Sequence, residues 1–198
     1  MPQQIYVLVF DGFADWEPSF ALAELRRWGH HEVVTVAFRP GAVTSMGGLR
    51  VVPDRTLGDV REEEVRMLIV PGGDAWEREE DYPRVEVEGL LTRVAAAGRP
   101  IAAICAATVA LARTGLLDER RHTSNGLEYL SGAAPAYRGA AHYDSALAVR
   151  DRGVVTASGL GAVDFAREIF AELALFSAAD AALWYDMFKH GKLPAEAT

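Results

Sequence analysis

Five short apolar runs, rich in β-branched residues, recur along the chain and alternate with longer stretches of helical period. The runs are "IYVLVF" at 5–10, "EVVTVAF" at 32–38, "VRMLIV" at 65–70, "PIAAI" at 100–104 and "GVVTAS" at 153–158. Each is too short for a typical helix and nearly continuous in apolar character, the pattern of a strand buried on both faces. Between them, "EPSFALAELRRWG", "RVEVEGLLTRVAAAG", "TVALARTGLL" and "AVDFAREIFAELALF" carry apolar residues at three- and four-residue spacings, as amphipathic helices do. Such alternation predicts a mainly parallel sheet with helices on both faces, a three-layer, doubly wound α/β sandwich. The segment 41–59, "GAVTSMGGLRVVPDRTLGD", has Gly-Gly between two short apolar stretches and reads as an inserted β-hairpin.

A chain of 198 residues, half of them hydrophobic, can bury one substantial core, so residues 1–198 are expected to form a single domain. The formal charge of -8 disfavours nucleic acid and anionic membrane surfaces as partners. Arg120, Arg121 and His122 form the densest basic cluster, too short for an electrostatic footprint. The acidic stretches "REEEV" at 61–65 and "EREED" at 77–81 read as solvated faces. A single cysteine permits no intrachain disulfide, and "MPQQIYVLVF" lacks the basic and long apolar regions of a secretory signal, which predicts a reducing, cytoplasmic setting. No apolar run approaches the roughly 20 residues of a membrane helix.

The one cysteine, Cys105, stands where strand period changes to helix period, in "AAICAAT". A sharp strand-to-helix turn at the carboxyl end of a central strand is where ligands bind in open α/β sheets. Ala103 and Ala107 flank the thiol at minus two and plus two, the small-x-nucleophile-x-small spacing of a nucleophile elbow with alanines for glycines. A following helix amino terminus favours the thiolate, so an activated thiol is expected; a buried cysteine acting as a small hydrophobe is the alternative.

Two further loops reach the same sheet edge. In "VFDGFADWEPSF" the first strand gives way to a helix with Asp15 as expected N-cap, and Glu17 lies in its first turn. In "LIVPGGDAW" a strand ends in Pro71, Gly72 and Gly73, and glycines let a backbone N–H approach a ligand closely, so Gly73 is a candidate to share an oxyanion site with the N–H of Cys105 or Ala106, against the alternative of an ordinary glycine turn. Trp16 and Trp76 adjoin these loops and are candidate walls of a small apolar pocket, against the alternative that they are core. In the last helix, Leu183, Trp184, Met187 and Phe188 form a stripe that either caps the sheet or meets a second subunit.

Taken in order, "DWE", "IVPGG", "AICAAT" and "SGLGAVDFAREIFAEL" resemble the ThiJ/PfpI superfamily, which has a flavodoxin-like, class I glutamine amidotransferase-like fold. The resemblance implies a strained elbow at Cys105, a protonated Glu17 bonded to the thiol, a backbone N–H from Gly73, and a homodimer; no metal-ligand spacing such as His-Glu-x-x-His occurs, and neither metal nor cofactor is expected. Activities implied range over glyoxalase-like and deglycase-like chemistry, isonitrile hydration, peptide hydrolysis and stress sensing. The departures narrow that range. Where many members carry a histidine about twenty residues past the cysteine, Asn125 stands here, able to donate and accept hydrogen bonds but not to take a proton. His122 is near, but on an extended segment it points away from the face of Asn125. Ala106 follows the thiol where protease-like members have histidine, and no His-x-Glu pair follows the elbow, so protease and amidotransferase activities are disfavoured. His142 is a candidate base through folding, while His30, His31 and His190 read as helix-end cations. The remaining expectations are a Cys105–Glu17 enzyme acting on a small electrophilic molecule, a hydrolase or lyase; a stress sensor whose cysteine is oxidised; or a binding scaffold with a vestigial site.

Overall fold

The computed structural model describes residues 3–77 and 82–193. Its main sheet runs β5 (Arg55–Thr56), β2 (Val33–Ala37), β1 (Gln4–Val9), β6 (Val65–Val70), β7 (Ile101–Ile104), β9 (Val154–Ala157) and β8 (Ala148–Asp151). All neighbours pair in parallel except β8, which closes one edge antiparallel to β9. The expected hairpin is present as β3 (Val43–Thr44) and β4 (Arg50–Val51), paired antiparallel.

The central strands β1, β6, β7 and β9 are largely apolar because both their faces are covered. Alternate residues enter opposite cores: Ile5, Val7, Met67, Ile69, Ala102 and Ile104 face one layer, Tyr6, Leu8, Leu68, Val70, Ile101 and Ala103 the other. The first layer is built by α1 (Trp16–Arg27), α5 (Ala162–Leu173) and α6 (Ala178–His190). The second contains α2 (Arg84–Ala96), α3 (Thr108–Arg113) and α4 (Leu127–Ala133). Each fully buried Leu, Ile or Phe contributes about 1.5–3 kcal/mol. Trp184 of α6 is buried in a ring cluster with Phe20, Phe170 and Phe188, so this part of the stripe packs on α1 and α5, while Leu183 and Phe188 stay exposed. Among the described residues no helix is long and apolar enough to cross a membrane.

Several local expectations are corrected. Edge strands β5 and β8 and helix α4 were not evident from the sequence, since two to seven residues carry too little periodicity. The acidic run at 61–65 is not wholly solvated: Glu64 is buried, bonded to the Tyr6 hydroxyl and to Arg55. Residues 78–81 of "EREED" lie outside the described residues. Asp15 occupies the N-cap position of α1 as expected, but its side chain makes no capping hydrogen bond; its carboxylate accepts hydrogen bonds from Ser45 and the Gly47 N–H instead, which anchors the hairpin to the loop before Glu17.

Because β1, β6, β7 and β9 are parallel, their carboxyl ends lie on one edge, and the loops that follow them converge there.

Candidate active site

Strand β7 ends at Ile104, and a single 3-10 turn, Cys105–Ala107, leads into α3. Cys105 takes φ +59°, a left-handed conformation that costs a residue with a side chain on the order of 1–3 kcal/mol. Such strain aims the thiol out of the sheet edge. Two glycines make room for it. A methyl on Gly72 would lie 2.8 Å from Cys105 Cβ and 2.8 Å from a Glu17 oxygen, and one on Gly159 would lie 2.9 Å from Cys105 Sγ.

Glu17, in the first turn of α1, is 1% exposed. Its Oε2 accepts the Gly72 N–H at 2.6 Å, while Oε1 is buried with no well-formed hydrogen bond among the described residues. The group beside it is the Cys105 thiol, with which it interacts electrostatically. Burial pushes the Glu17 carboxyl above its ordinary value, and the Gly72 N–H and the thiol only partly oppose this. Burial also pushes the Cys105 thiol up to about 11, to which an ionised Glu17 adds; the Asn125 amide and the Ala106 N–H pull the other way. The expected lowering by a helix amino terminus is thus outweighed, because α3 starts three residues later and the thiol is largely withdrawn from water. When Glu17 holds its proton the like charge vanishes and its O–H can donate to the sulfur, so the two groups titrate as a pair.

Asn125 sits opposite. Its Nδ2 donates to Cys105 Sγ at 3.2 Å, and its Oδ1 accepts the Gly159 N–H at 2.9 Å, which fixes the amide orientation. His122 lies on the other face of this extended segment, with Nδ1 at the Arg120 carbonyl and Nε2 at the Tyr137 hydroxyl. His142 is exposed, and among the described residues no histidine is hydrogen-bonded to the thiol.

The remaining candidates divide. The Gly72 N–H, expected to face substrate, is spent on Glu17, whereas the Gly73 N–H has no acceptor among the described residues. Gly73 adopts φ +150° with Phe10 and the Gly12 carbonyl packed against its α-carbon. Trp76 is not a pocket wall: it is fully buried, donates its indole N–H to the Pro71 carbonyl, and packs against Phe10, Phe38 and Tyr82. Trp16, 51% exposed, adjoins Glu17 at the start of α1. Tyr129 of α4 is not signalled by the sequence, since α4 itself was not evident; it bonds Glu77 at 3.2 Å, and its hydroxyl is pushed up chiefly by burial and by Glu77, with a smaller contribution from Cys105. Among the described residues no trio of His, Cys, Asp or Glu is placed to hold a metal ion.

A family model described as the DJ-1/PfpI family matches residues 3–172. The chain belongs to that family. Its DJ-1/PfpI relatives include the "uncharacterized protease YoaZ" of Bacillus subtilis, 34% identical over 96% of this chain and 92% of that protein. They also include the "deglycase PfpI" of Pyrococcus furiosus, 32% identical over 61% of this chain and 71% of that one. Among solved structures, the DJ-1 superfamily protein Atu0886 of Agrobacterium tumefaciens superposes with a TM-score of 0.87 at 38% identity, covering 96% of this chain and all of that one. The DJ-1/PfpI fold is therefore the flavodoxin-like sandwich described above.

Proposed function

We propose that this chain is a cysteine-dependent enzyme acting on small reactive carbonyl compounds, of the kind that a glyoxalase or deglycase consumes. One arrangement carries the reading: a strained, withdrawn thiol between a carboxyl that has one free oxygen and an amide that cannot take a proton. The reactive form is the pair that has lost one proton, with the negative charge on sulfur and the proton on Glu17 Oε1. Sulfur attacks the carbonyl carbon, the π electrons move to oxygen, and that oxygen takes the Glu17 proton, giving a hemithioacetal and a Glu17 carboxylate on the Gly72 N–H. The unengaged Gly73 N–H is the available backbone donor for the developing oxyanion. A high thiol pKa makes the thiolate, once formed, a stronger nucleophile. Kinship with the deglycase supports the substrate class. Peptide hydrolysis fits less well, because both His122 nitrogens are engaged away from the thiol.

Product analysis after incubation with a panel of 2-oxoaldehydes tests this reading. Consumption is expected, and Cys105→Ala lowers it by roughly 100-fold or more without loss of fold. Undiminished consumption by the alanine variant would overturn it. The donors around Sγ also favour a second reading, oxidation of the thiol to a sulfinic acid with peroxide reduced to water. Mass spectrometry after peroxide exposure, with no 2-oxoaldehyde turnover, would select that one.

A further inference from the structure

The loop that carries Asn125 and the elbow that carries Cys105 are joined by two hydroxyls that neither the fold nor the chemistry so far has used. Thr108 opens α3, is fully buried, and donates from Oγ1 to the Cys105 carbonyl at 2.6 Å. Its one hydrogen is thereby committed. Ser124 Oγ lies 2.7 Å from Thr108 Oγ1 and is also buried, so the serine must be the donor of that second bond. The chain runs Ser124 O–H to Thr108 O–H to Cys105 C=O, and each bond polarises the next. Ser124 immediately precedes Asn125, and its own carbonyl receives the Tyr143 hydroxyl at 3.3 Å. One residue earlier, the Thr123 N–H donates to Thr156 Oγ1 at 2.8 Å and Thr123 Oγ1 donates to the Ala146 carbonyl at 2.8 Å. This segment holds no strand ladder apart from one isolated bridge at His122, so side-chain hydroxyls do the work that sheet pairing does elsewhere.

We infer that Thr108 and Ser124 are positioning residues: their hydroxyl relay holds the elbow carbonyl of Cys105 and sets the Asn125 amide on the sulfur. Two observations separate this from mere satisfaction of a buried serine. The relay ends on the backbone carbonyl of the residue in the left-handed conformation, the point where the turn would relax. The Asn125 amide is held directly at Sγ and Gly159, both on the elbow side, so the register of its loop against the elbow decides whether the 3.2 Å contact exists. Thr108 and Ser124 touch no reacting atom and act through Cys105 and Asn125. The inference uses the site of the proposed function, but its test needs no substrate.

The readout is the pH dependence of Cys105 alkylation by iodoacetamide in the full chain. The titratable groups facing the thiol are Glu17 from α1 and Tyr129 from α4, with Glu77 behind the tyrosine, and the variants leave all three in place. Losing the Asn125 donor raises the thiol's midpoint, because that bond favours the thiolate. Thr108→Val keeps shape and removes the hydroxyl; it is expected to raise the midpoint by about half a unit to one unit and to slow alkylation below that midpoint by roughly three- to tenfold. Thr108→Ser restores both. Asn125→Ala gives a similar rise, and in that background Thr108→Val adds nothing further, the pattern of residues acting through one contact. Should Thr108→Val fail to fold, Ser124→Ala carries the same expectation. An unchanged midpoint in a folded variant whose melting temperature has dropped, or a full additional shift in the Asn125→Ala background, would overturn the inference and leave the relay purely structural. Turnover of 2-oxoaldehydes bears on the proposed function alone.

Discussion

Strand β6 has a buried carboxyl at each end, and the two could hardly be treated more differently. Glu64 immediately precedes the strand and is 6% exposed; Glu17 is held by Gly72, two residues past its other end, and is 1% exposed. Glu64 meets the Arg55 guanidinium at 2.7 Å and the Tyr6 hydroxyl at 3.1 Å, and the arginine holds its carboxyl below the ordinary range. Glu17 has one backbone N–H, an unsatisfied oxygen and a thiol for company, and burial holds it above that range. The lesson lies in the partners rather than the burial. A buried acid given a cation and a hydroxyl is held in its charged form; one given neither is pushed toward its protonated form.

The sharpest way to break the comparison is to neutralise each acid in turn. Glu17→Gln is expected to lower kcat on 2-oxoaldehydes by roughly 100-fold while leaving the melting temperature near wild type, since the amide fills the same space. Glu64→Gln should do the reverse, lowering the urea midpoint by stranding Arg55 while turnover per folded molecule stays unchanged. Equal activity losses in the two variants would erase the distinction.

A smaller effect is expected from methyl groups. Gly159 needs no left-handed backbone, so Gly159→Ala acts by crowding Cys105 Sγ at 2.9 Å and, less tightly, Cys105 Cβ at 3.2 Å and Glu17 Oε1 at 3.4 Å, and Cys105 alkylation should slow on the order of tenfold. Gly58, beside β5 at the Arg55 end of the sheet, has nothing within 4 Å of an added methyl, so Gly58→Ala should change neither alkylation nor turnover. Equal alkylation rates in both alanine variants would show that the thiol is less enclosed than described.

The smallest effects are in the pH dependence of stability, where the two acids have opposite signs. Both start from an ordinary value of 4.5. Glu17 is raised in the fold, so its contribution is complete below 4.5 and is lost as pH rises through its folded value. Glu64 is lowered, so its contribution is complete above 4.5 and is lost as pH falls through its folded value. Urea midpoints from pH 3 to 9 should therefore show the advantage of wild type over Glu17→Gln shrinking on the alkaline side, and its advantage over Glu64→Gln shrinking on the acid side. Slopes of the same sign would contradict the assignment.

The same pair shows why the sequence was legible at one end of β6 and opaque at the other. Nearly continuous apolar runs and helical spacing exposed five strands of the main sheet, because burial on both faces leaves few polar residues to blur them. The elbow was readable because "AAICAAT" changes period at its one thiol. Glu64 was not, since three successive glutamates look like any solvated turn until Arg55 and Tyr6 are brought to it across the fold. Trp76 was ambiguous: a tryptophan after Gly-Gly reads as pocket wall or core, and the fold decides for core, with its indole N–H on the Pro71 carbonyl. The direction of the thiol's shift depended on how far Cys105 is withdrawn from water, which local spacing does not report.

The proposed chemistry requires Glu17 to keep a proton beside the thiol. An infrared difference spectrum between wild type and Glu17→Gln at pH 7 reads it directly, through the C=O stretch of a protonated carboxyl. A carboxylic acid band present in wild type and absent from the variant is predicted; a carboxylate band in its place would contradict the claim that this acid holds its proton for chemistry.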